Sequence, residues 1–546
     1  MNRKENLAQL KSQDFDVCVI GGGASGLGCA LDAALRGMKV CLIERDDFAA
    51  GTSSRSTKLI HGGVRYLEQA FKKLDFGQLR QVRHGLAERH ILLNNAPHLA
   101  HPLALVTPVF NWFEAFYFSV GLKLYSFFAV NDSLPQANWL NKKNTFLRIP
   151  TLTKKLHSSV MYYDGQLDDA RYCIALAQTA NLAGVVVANH LGLNAFQKDA
   201  SGKLTQAVVK DELSKETFAI KAKVFINCTG PYADTVRTMA NPAAEHRLKP
   251  SKGVHIIVPK SVLNSESAML IPKTSDGRVV FVIPFENEVM IGTTDDACQD
   301  IAPEPILEKA EIDFLIETTN RFLDKAITAD QVKAGFGGLR PLVSAAASPT
   351  KATKQLLRDH EVEHDDTSNL VSLMGGKWTT YRLMAKDTID YVATMLSNQQ
   401  PCQTESAKLL GAENYRFEDW ENLAAATKLD ADICQHLTKK YGCEVAKIKA
   451  VLLENANFGQ RLVADYPFIE AEVLLHCRQE MACSPRDVLA RRIRLELIDW
   501  KATLTALPRV CELMQTELGW TAEEKTKQET DYQQQLTHFI KTAQMQ

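Results

Sequence analysis

A short apolar run from Asp16 to Ile20 (DVCVI) is followed by apolar positions at helical spacing from Leu27 to Arg36, a stop at Gly37, and a second run from Lys39 to Ile43 that ends at Glu44. Brief apolar runs bounded by turn formers predict strands, and the spacing between them predicts a helix. Together they predict a compact β-α-β unit near the start of the chain. Gly184 to Val187 and Val224 to Asn227 read as further strands, and Val254 to Val258, Val279 to Ile283 and Val289 to Ile291 as an antiparallel β-rich block. From about Gln399 onward strand signals give way to helical periodicity, with a polar, Gln-rich end. The expected class is α/β followed by an all-α region, with a boundary near residue 399.

Two segments carry a pattern whose meaning depends on their surroundings. Phe110 to Val130 (FNWFEAFYFSVGLKLYSFFAV) is 21 residues long but contains Glu114 and Lys123, and ionised groups at mid-bilayer argue against a membrane span. Its aromatics suit a helix lying in a membrane interface, and equally a buried core helix or a dimer surface. Ser484-Pro485-Arg486-Asp487 has the residues of a capped helix start running through Arg491, Arg492 and Arg494. It is expected to be a structural helix with a solvated basic face and no chemistry.

Composition narrows the class further. The 546 residues exceed one ordinary hydrophobic core and predict several domains or subdomains, while 45% apolar and 23% charged residues are the proportions of a folded globular protein. With 63 Lys plus Arg against 64 Asp plus Glu, no overall field favours nucleic acid. An anionic ligand must be held by a local basic cluster. The 12 Cys include no C-x-x-C pair and read as reduced structural thiols of a reducing compartment. No Cys or His cluster has metal-ligand spacing, so no metal is expected. Met1 to Gln13 shows no apolar stretch of signal-peptide length, so secretion is not expected.

Directly after the first run stands Gly21-Gly22-Gly23-Ala24-Ser25-Gly26, a G-x-G-x-x-G pattern, with Glu44 18 residues beyond Gly26. Gly21 permits the tight turn, Gly23 lets the backbone approach a pyrophosphate, Gly26 allows close helix-strand packing, and the helix N-terminus presents a positive dipole end. Glu44 can accept hydrogen bonds from ribose hydroxyls. The pattern does not by itself separate FAD from NAD. The long small-and-hydroxyl stretch Gly51 to Tyr66 that follows could run its backbone along an extended cofactor such as FAD.

Within that stretch, SSRSTKLIHGGVRYLE resembles the FAD-dependent glycerol-3-phosphate dehydrogenases. So do DDAR (Asp168 to Arg171), NCTGPYAD (Asn227 to Asp234), FVIPFENEVMIGTTD (Phe281 to Asp295), GGLRPL (Gly337 to Leu342), GGKWTTYR (Gly375 to Arg382) and SPRDVLARRIR (Ser484 to Arg494). The resemblance, carried by seven separated motifs in order, extends over most of the chain. The resemblance implies a Rossmann-like FAD-binding domain of the glycine/D-amino-acid oxidase type, with FAD segments at about 14–100, 160–250 and 336–398. It also implies an antiparallel substrate subdomain mainly over 101–159 and 251–335, and a helical C-terminal domain over 399–546. Implied FAD contacts are Gly21, Gly22, Gly23, Ser25, Gly26, Glu44, Thr52, Ser53, Ser54, Ser56, Lys58, Leu59, His61, Gly62, Gly63, Val187, Thr229, Gly230, Gly376, Lys377 and Thr379.

The implied reaction is oxidation of sn-glycerol-3-phosphate to dihydroxyacetone phosphate, with electrons passed to a membrane quinone. A phosphate ester near neutral pH calls for several charge-assisted donors, and the resemblance points to Arg65, Arg340, Arg358 and Lys377, with Tyr66 orienting the substrate. Around Arg358 the family has a Thr-Arg-Asp-Tyr-like run where this chain has Leu357-Arg358-Asp359-His360. Removing the hydroxyl proton needs a base, and His61 is the candidate because an unperturbed imidazole pKa of roughly 6.5 leaves it neutral near physiological pH. His61 as a packing or flavin-contacting residue stays open, as does Arg340 polarising the alcohol while water takes the proton. An oxidase passing electrons to oxygen fits the same motifs, and an amine or amino-acid oxidase fits the same fold with a single Arg for a carboxylate. The chain shows no EF-hand loop of the kind that mitochondrial members carry, which with the plain N-terminus implies a bacterial-type enzyme. It is expected to be peripheral on the cytoplasmic face of the inner membrane, with a homodimer also open.

Overall fold

The computed structural model describes residues 1–63, 76–129, 134–274, 277–298, 301, 304–344 and 360–544. The elements that build the site are, in chain order, β1 (Asp14–Ile20), α1 (Ala24–Leu35), β2 (Val40–Ile43), α2 (Trp112–Phe127), α3 (Asp169–Leu182), β3 (Thr217–Asn227), β4 (Ser251–Pro259), β5 (Glu288–Gly292), β6 (Ala334–Arg340), β7 (Leu370–Gly375) and α4 (Tyr381–Met395). β1 is the spine of an eight-stranded sheet. It pairs in parallel with β2, from Val17↔Val40 to Ile20↔Ile43, and with β3, ending at Ile20↔Asn227. β7 extends the sheet beside β3, and the short strand Val186–Ala188 extends it beside β2, both in parallel. Parallel strands covered on both faces must be apolar without alternation. Val17, Cys18 and Val19 and all four residues of β2 are buried accordingly.

The second sheet has ten strands, and β4 lies between β5 and β6, antiparallel to both. Its register places His255 opposite Gly292 on one side and Phe336 on the other. The two sheets meet where the C-terminal ends of β1, β2 and β3 face β4 and β6, the position at which open α/β sheets bind ligands. After β7 the described residues turn into α4 and then the C-terminal helices, with no further named strand among them.

Two sequence expectations change here. The segment from Phe110 forms α2, started by Asn111, whose side chain accepts the Glu114 N–H at 2.8 Å. Ala115, Leu122 and Tyr125 face inward, while Trp112 is 71% and Phe127 75% exposed. A fully buried core helix is therefore set aside. The expected solvated basic face after Ser484 is overturned outright. Asp487–Arg492 is a wide, π-type turn, and Arg491, Arg492 and Arg494 are buried. The physical reason is pairing, because a guanidinium tolerates burial where carboxylates and carbonyls satisfy its fork. Asp47, Asp487 and Asp169 supply those carboxylates.

Candidate active site

A cavity of about 440 Å³ opens at the junction of the two sheets, within the size range of small-molecule and cofactor sites. The turn after β1 is built for close approach. Gly21 has φ of +111°, and a Cβ there would stand 2.5 Å from the Cys228 carbonyl oxygen. A Cβ on Gly26 would stand 1.9 Å from the Gly21 oxygen, so α1 can start this near the strand only with glycine at that position. The Ala24 N–H at the start of α1 donates to the Ser53 hydroxyl at 3.0 Å, and the Trp378 indole donates to the Ser53 carbonyl at 2.9 Å. Thr52 donates to the Leu339 carbonyl at 2.6 Å, tying this segment to β6.

The Glu44 carboxylate lies at the end of β2 and accepts the N–H groups of Gly22 (2.6 Å) and Asp46 (2.9 Å). Burial outweighs these donors and raises its pKa above the usual carboxylate value. Across the turn, Thr229 donates to Asn227 at 2.7 Å, just before Gly230 opens a single-turn helix. A helix N-terminus, turn glycines without room for a Cβ and an acid at the end of β2 form the donor and acceptor set that fits a dinucleotide pyrophosphate and ribose.

Arg340, the last residue of β6, reaches across β4. Its Nη2 donates to the Thr293 hydroxyl (3.1 Å) and the Thr294 carbonyl (3.0 Å), and Nη1 to Asp295 (3.1 Å) and Ser251 (3.2 Å). The guanidinium fits because residue 253 is glycine, where a Cβ would stand 2.3 Å from Nη2. Gly292 does the same for the His255 ring, at 2.2 Å from Cδ2. His255 is buried, stacks on Phe336 at 4.8 Å and shares a hydrogen bond between Nε2 and the Thr57 hydroxyl at 3.0 Å. Burial, with Lys58 and Arg340 nearby, holds its pKa well below the ordinary imidazole value, so the ring is neutral. The His61 N–H donates to the Thr379 hydroxyl at 3.3 Å, and the next residue, Gly62, donates its N–H to Tyr125 at 2.7 Å.

Of the residues expected from sequence, Gly21, Gly23, Ser25, Glu44, Thr52, Ser53, Ser56, Leu59, His61, Thr229, Gly230, Arg340, Gly376, Lys377 and Thr379 line this one cavity. Gly22, Gly26, Ser54, Lys58, Gly62, Gly63 and Val187 lie off its lining. Lys58 is buried behind the wall, donating to Asp169 at 2.7 Å, and burial pushes its ammonium pKa down to about 7. The Val187 carbonyl accepts Asn6, while Leu191 and Leu193 on the next strand face the cavity. Arg65, Tyr66 and Arg358 lie outside the described residues. Sequence reasoning missed His255, Gly253, Thr293 and the Leu191-Leu193 pair. A lone histidine inside the apolar run VHIIV and the alternation of Leu191 and Leu193 were the available signals.

Comparison with known proteins agrees with this geometry. Residues 16–390 match the FAD dependent oxidoreductase family model, and residues 402–525 match the C-terminal domain of alpha-glycerophosphate oxidase. A mitochondrial glycerol-3-phosphate dehydrogenase of Macaca fascicularis is 41% identical over 96% of this chain and 74% of its own length. One from Arabidopsis thaliana is 38% identical over 98% and 87%. The crystal structure of the Bacillus halodurans glycerol-3-phosphate dehydrogenase complexed with FAD superposes with a TM-score of 0.80 at 30% identity, covering 98% of this chain and 97% of that one.

Proposed function

The chain belongs to the FAD-dependent glycerol-3-phosphate dehydrogenase family, and on that premise we propose that it oxidises sn-glycerol-3-phosphate to dihydroxyacetone phosphate and delivers the electrons to a membrane quinone. The protein is an FAD-dependent oxidoreductase. The observation that carries the substrate proposal is the convergence of His61, His255, Arg340 and Lys377, from four separate segments, on the wall of the cavity that holds the dinucleotide cradle.

When bound, FAD supplies the hydride acceptor for an alcohol carbon. Lys377 and Arg340, joined by Arg65 and Arg358, neutralise the phosphate, and Tyr66 orients the glycerol chain. Gly21, Gly23, Ser25, Glu44, Thr52, Ser53, Ser56, Leu59, Thr229, Gly230, Gly376 and Thr379 hold the cofactor along the lining. His61 takes the hydroxyl proton on a ring nitrogen, with its backbone N–H donated to the Thr379 hydroxyl. The neutral His255 ring closes the wall beside Thr57, whose hydroxyl is hydrogen-bonded to Nε2.

The acceptor half of the proposal rests on α2. Its outward face carries Trp112, Phe113, Phe116, Tyr117, Val120 and Phe127, all exposed, and such a face suits the headgroup boundary of a bilayer. Among the described residues no helix is long and apolar enough to cross a membrane, and the docking assigned to α2 is at the cytoplasmic face of the inner membrane, in a bacterial setting. The test is steady-state turnover with glycerol-3-phosphate and a water-soluble quinone analogue, in buffer and with anionic vesicles. Quinone reduction without peroxide is expected. Stoichiometric peroxide under air would make the protein an oxidase, and no turnover without an amine substrate would overturn the substrate assignment. Self-association through α2 in place of vesicle binding would make that face a homodimer surface.

A further inference from the structure

The segment following β2 supplies Arg45, Thr52, Ser53, Arg55, Ser56 and Thr57 to the cavity lining, and its other side is gripped by the C-terminal helices. Arg494, with no exposed surface, donates from Nη2 to the Ser54 carbonyl (2.9 Å) and to Asp169 at the start of α3 (2.9 Å). Asp169 in turn accepts the Ser56 N–H (3.0 Å) and hydroxyl (2.7 Å). Arg491 and Arg492 both close on Asp47, which also accepts the Asn189 amide at 2.9 Å. Arg486 pairs with Glu304 at 3.0 Å, and Glu304 pairs with Arg55. Four arginines within nine residues thus make three separate ties to residues 47–56.

Stability alone is a poor reason for this arrangement. Buried ion pairs are often no more stabilising than apolar residues of the same volume, because desolvation of both charges offsets their attraction. What they fix is geometry, since a planar guanidinium holding a carbonyl and a carboxylate at once admits little freedom. Arg494 also keeps a left-handed backbone, φ +70°, which a non-glycine residue adopts only where its surroundings enforce it. We propose that the C-terminal helical domain is a positioning element of the cofactor site, in which Arg494, Arg491 and Arg492 fix the outer side of residues 47–58 and thereby set the affinity for FAD.

The inference concerns cofactor binding and does not depend on which substrate is oxidised. It is tested by titrating FAD into the apoprotein of Arg494→Lys, following flavin fluorescence, with circular dichroism to verify the fold. The charge is kept, but the fork onto Ser54 and Asp169 is lost. The FAD dissociation constant is expected to rise about 10-fold or more, with a shifted flavin absorption band. Arg478→Ala, which removes an exposed pair with Glu454 and Glu517 in the same helical region, is expected to leave both unchanged. Wild-type FAD affinity in folded Arg494→Lys, or equal loosening in Arg478→Ala, overturns the proposal. If Arg494→Lys does not fold, Asp47→Asn loosens the other tie and is read by the same two measurements against the same control.

Discussion

Helix α2 and the segment 486–494 are opposites in sequence and opposites again, in the unexpected sense, in structure. The aromatic helix leaves Trp112, Phe116 and Phe127 in solvent, whereas the arginine-rich segment buries Arg491, Arg492 and Arg494. The difference teaches that composition states the cost of burial but partners decide whether burial occurs. Asp47, Asp169 and Asp487 wait for the arginines. No described protein surface covers the outer face of α2.

The comparison breaks most severely at Asp47. Asp47→Ala removes the carboxylate shared by two buried guanidinium groups, leaving Arg491 with Asp487 alone and Arg492 without its close partner, and a loss of about 3–5 kcal/mol is expected in denaturant unfolding. A change below about 1 kcal/mol would mean that water or Asp487 replaces it. On the other side, the triple change Trp112→Glu, Phe116→Glu and Phe127→Glu is expected to lower vesicle partitioning by about 100-fold or more, as three large apolar side chains lose their burial in lipid. Flavin content and melting temperature should stay at wild-type values, because these side chains pack against nothing essential. A marked drop in melting temperature would instead reveal structural packing.

The buried arginine cluster extends to Arg171, paired with Glu480 at 2.6 Å, and its field is readable through a histidine. Burial, reinforced by Arg171, pushes the pKa of His98 down to about 3. The folded chain therefore binds fewer protons than the unfolded chain between about pH 6.5 and 3, and this group costs stability progressively as pH falls through that window. In His98→Gln the pH slope of the unfolding free energy from pH 6.5 to 4.5 is expected to shrink by about one proton. An unchanged slope would show that His98 is protonated in the fold. The smallest effect belongs to Arg478→Ala, an exposed counterpart of the buried arginines, expected at about 1 kcal/mol or less.

What was legible in the sequence follows from the range of the interactions involved. The β1-α1-β2 unit was legible because its strands, its glycines and Glu44 lie within thirty-odd consecutive residues and carry their own periodicity. The antiparallel pairing around Val254 to Val258 was legible for the same reason. The cavity lining was reached largely through family motifs, and these do not tell a residue that touches the cavity from one that supports it. Lys58 sits among lining residues in sequence, but its side chain turns to Asp169. The burial of Arg491 could not be read, because Asp47 lies 444 residues away along the chain. His255 was hidden by its own strand, since only the pairing opposite Gly292 reveals that a ring has been given room there.

The central claim, a phosphate-bearing alcohol oxidised at this flavin site, is tested most directly by mixing the purified holoprotein with sn-glycerol-3-phosphate without oxygen while following the oxidised flavin band. Rapid bleaching is predicted, absent with glycerol and lost in Arg340→Ala. Colour that persists at saturating glycerol-3-phosphate, or bleaching by glycerol as fast as by its phosphate ester, would contradict the account.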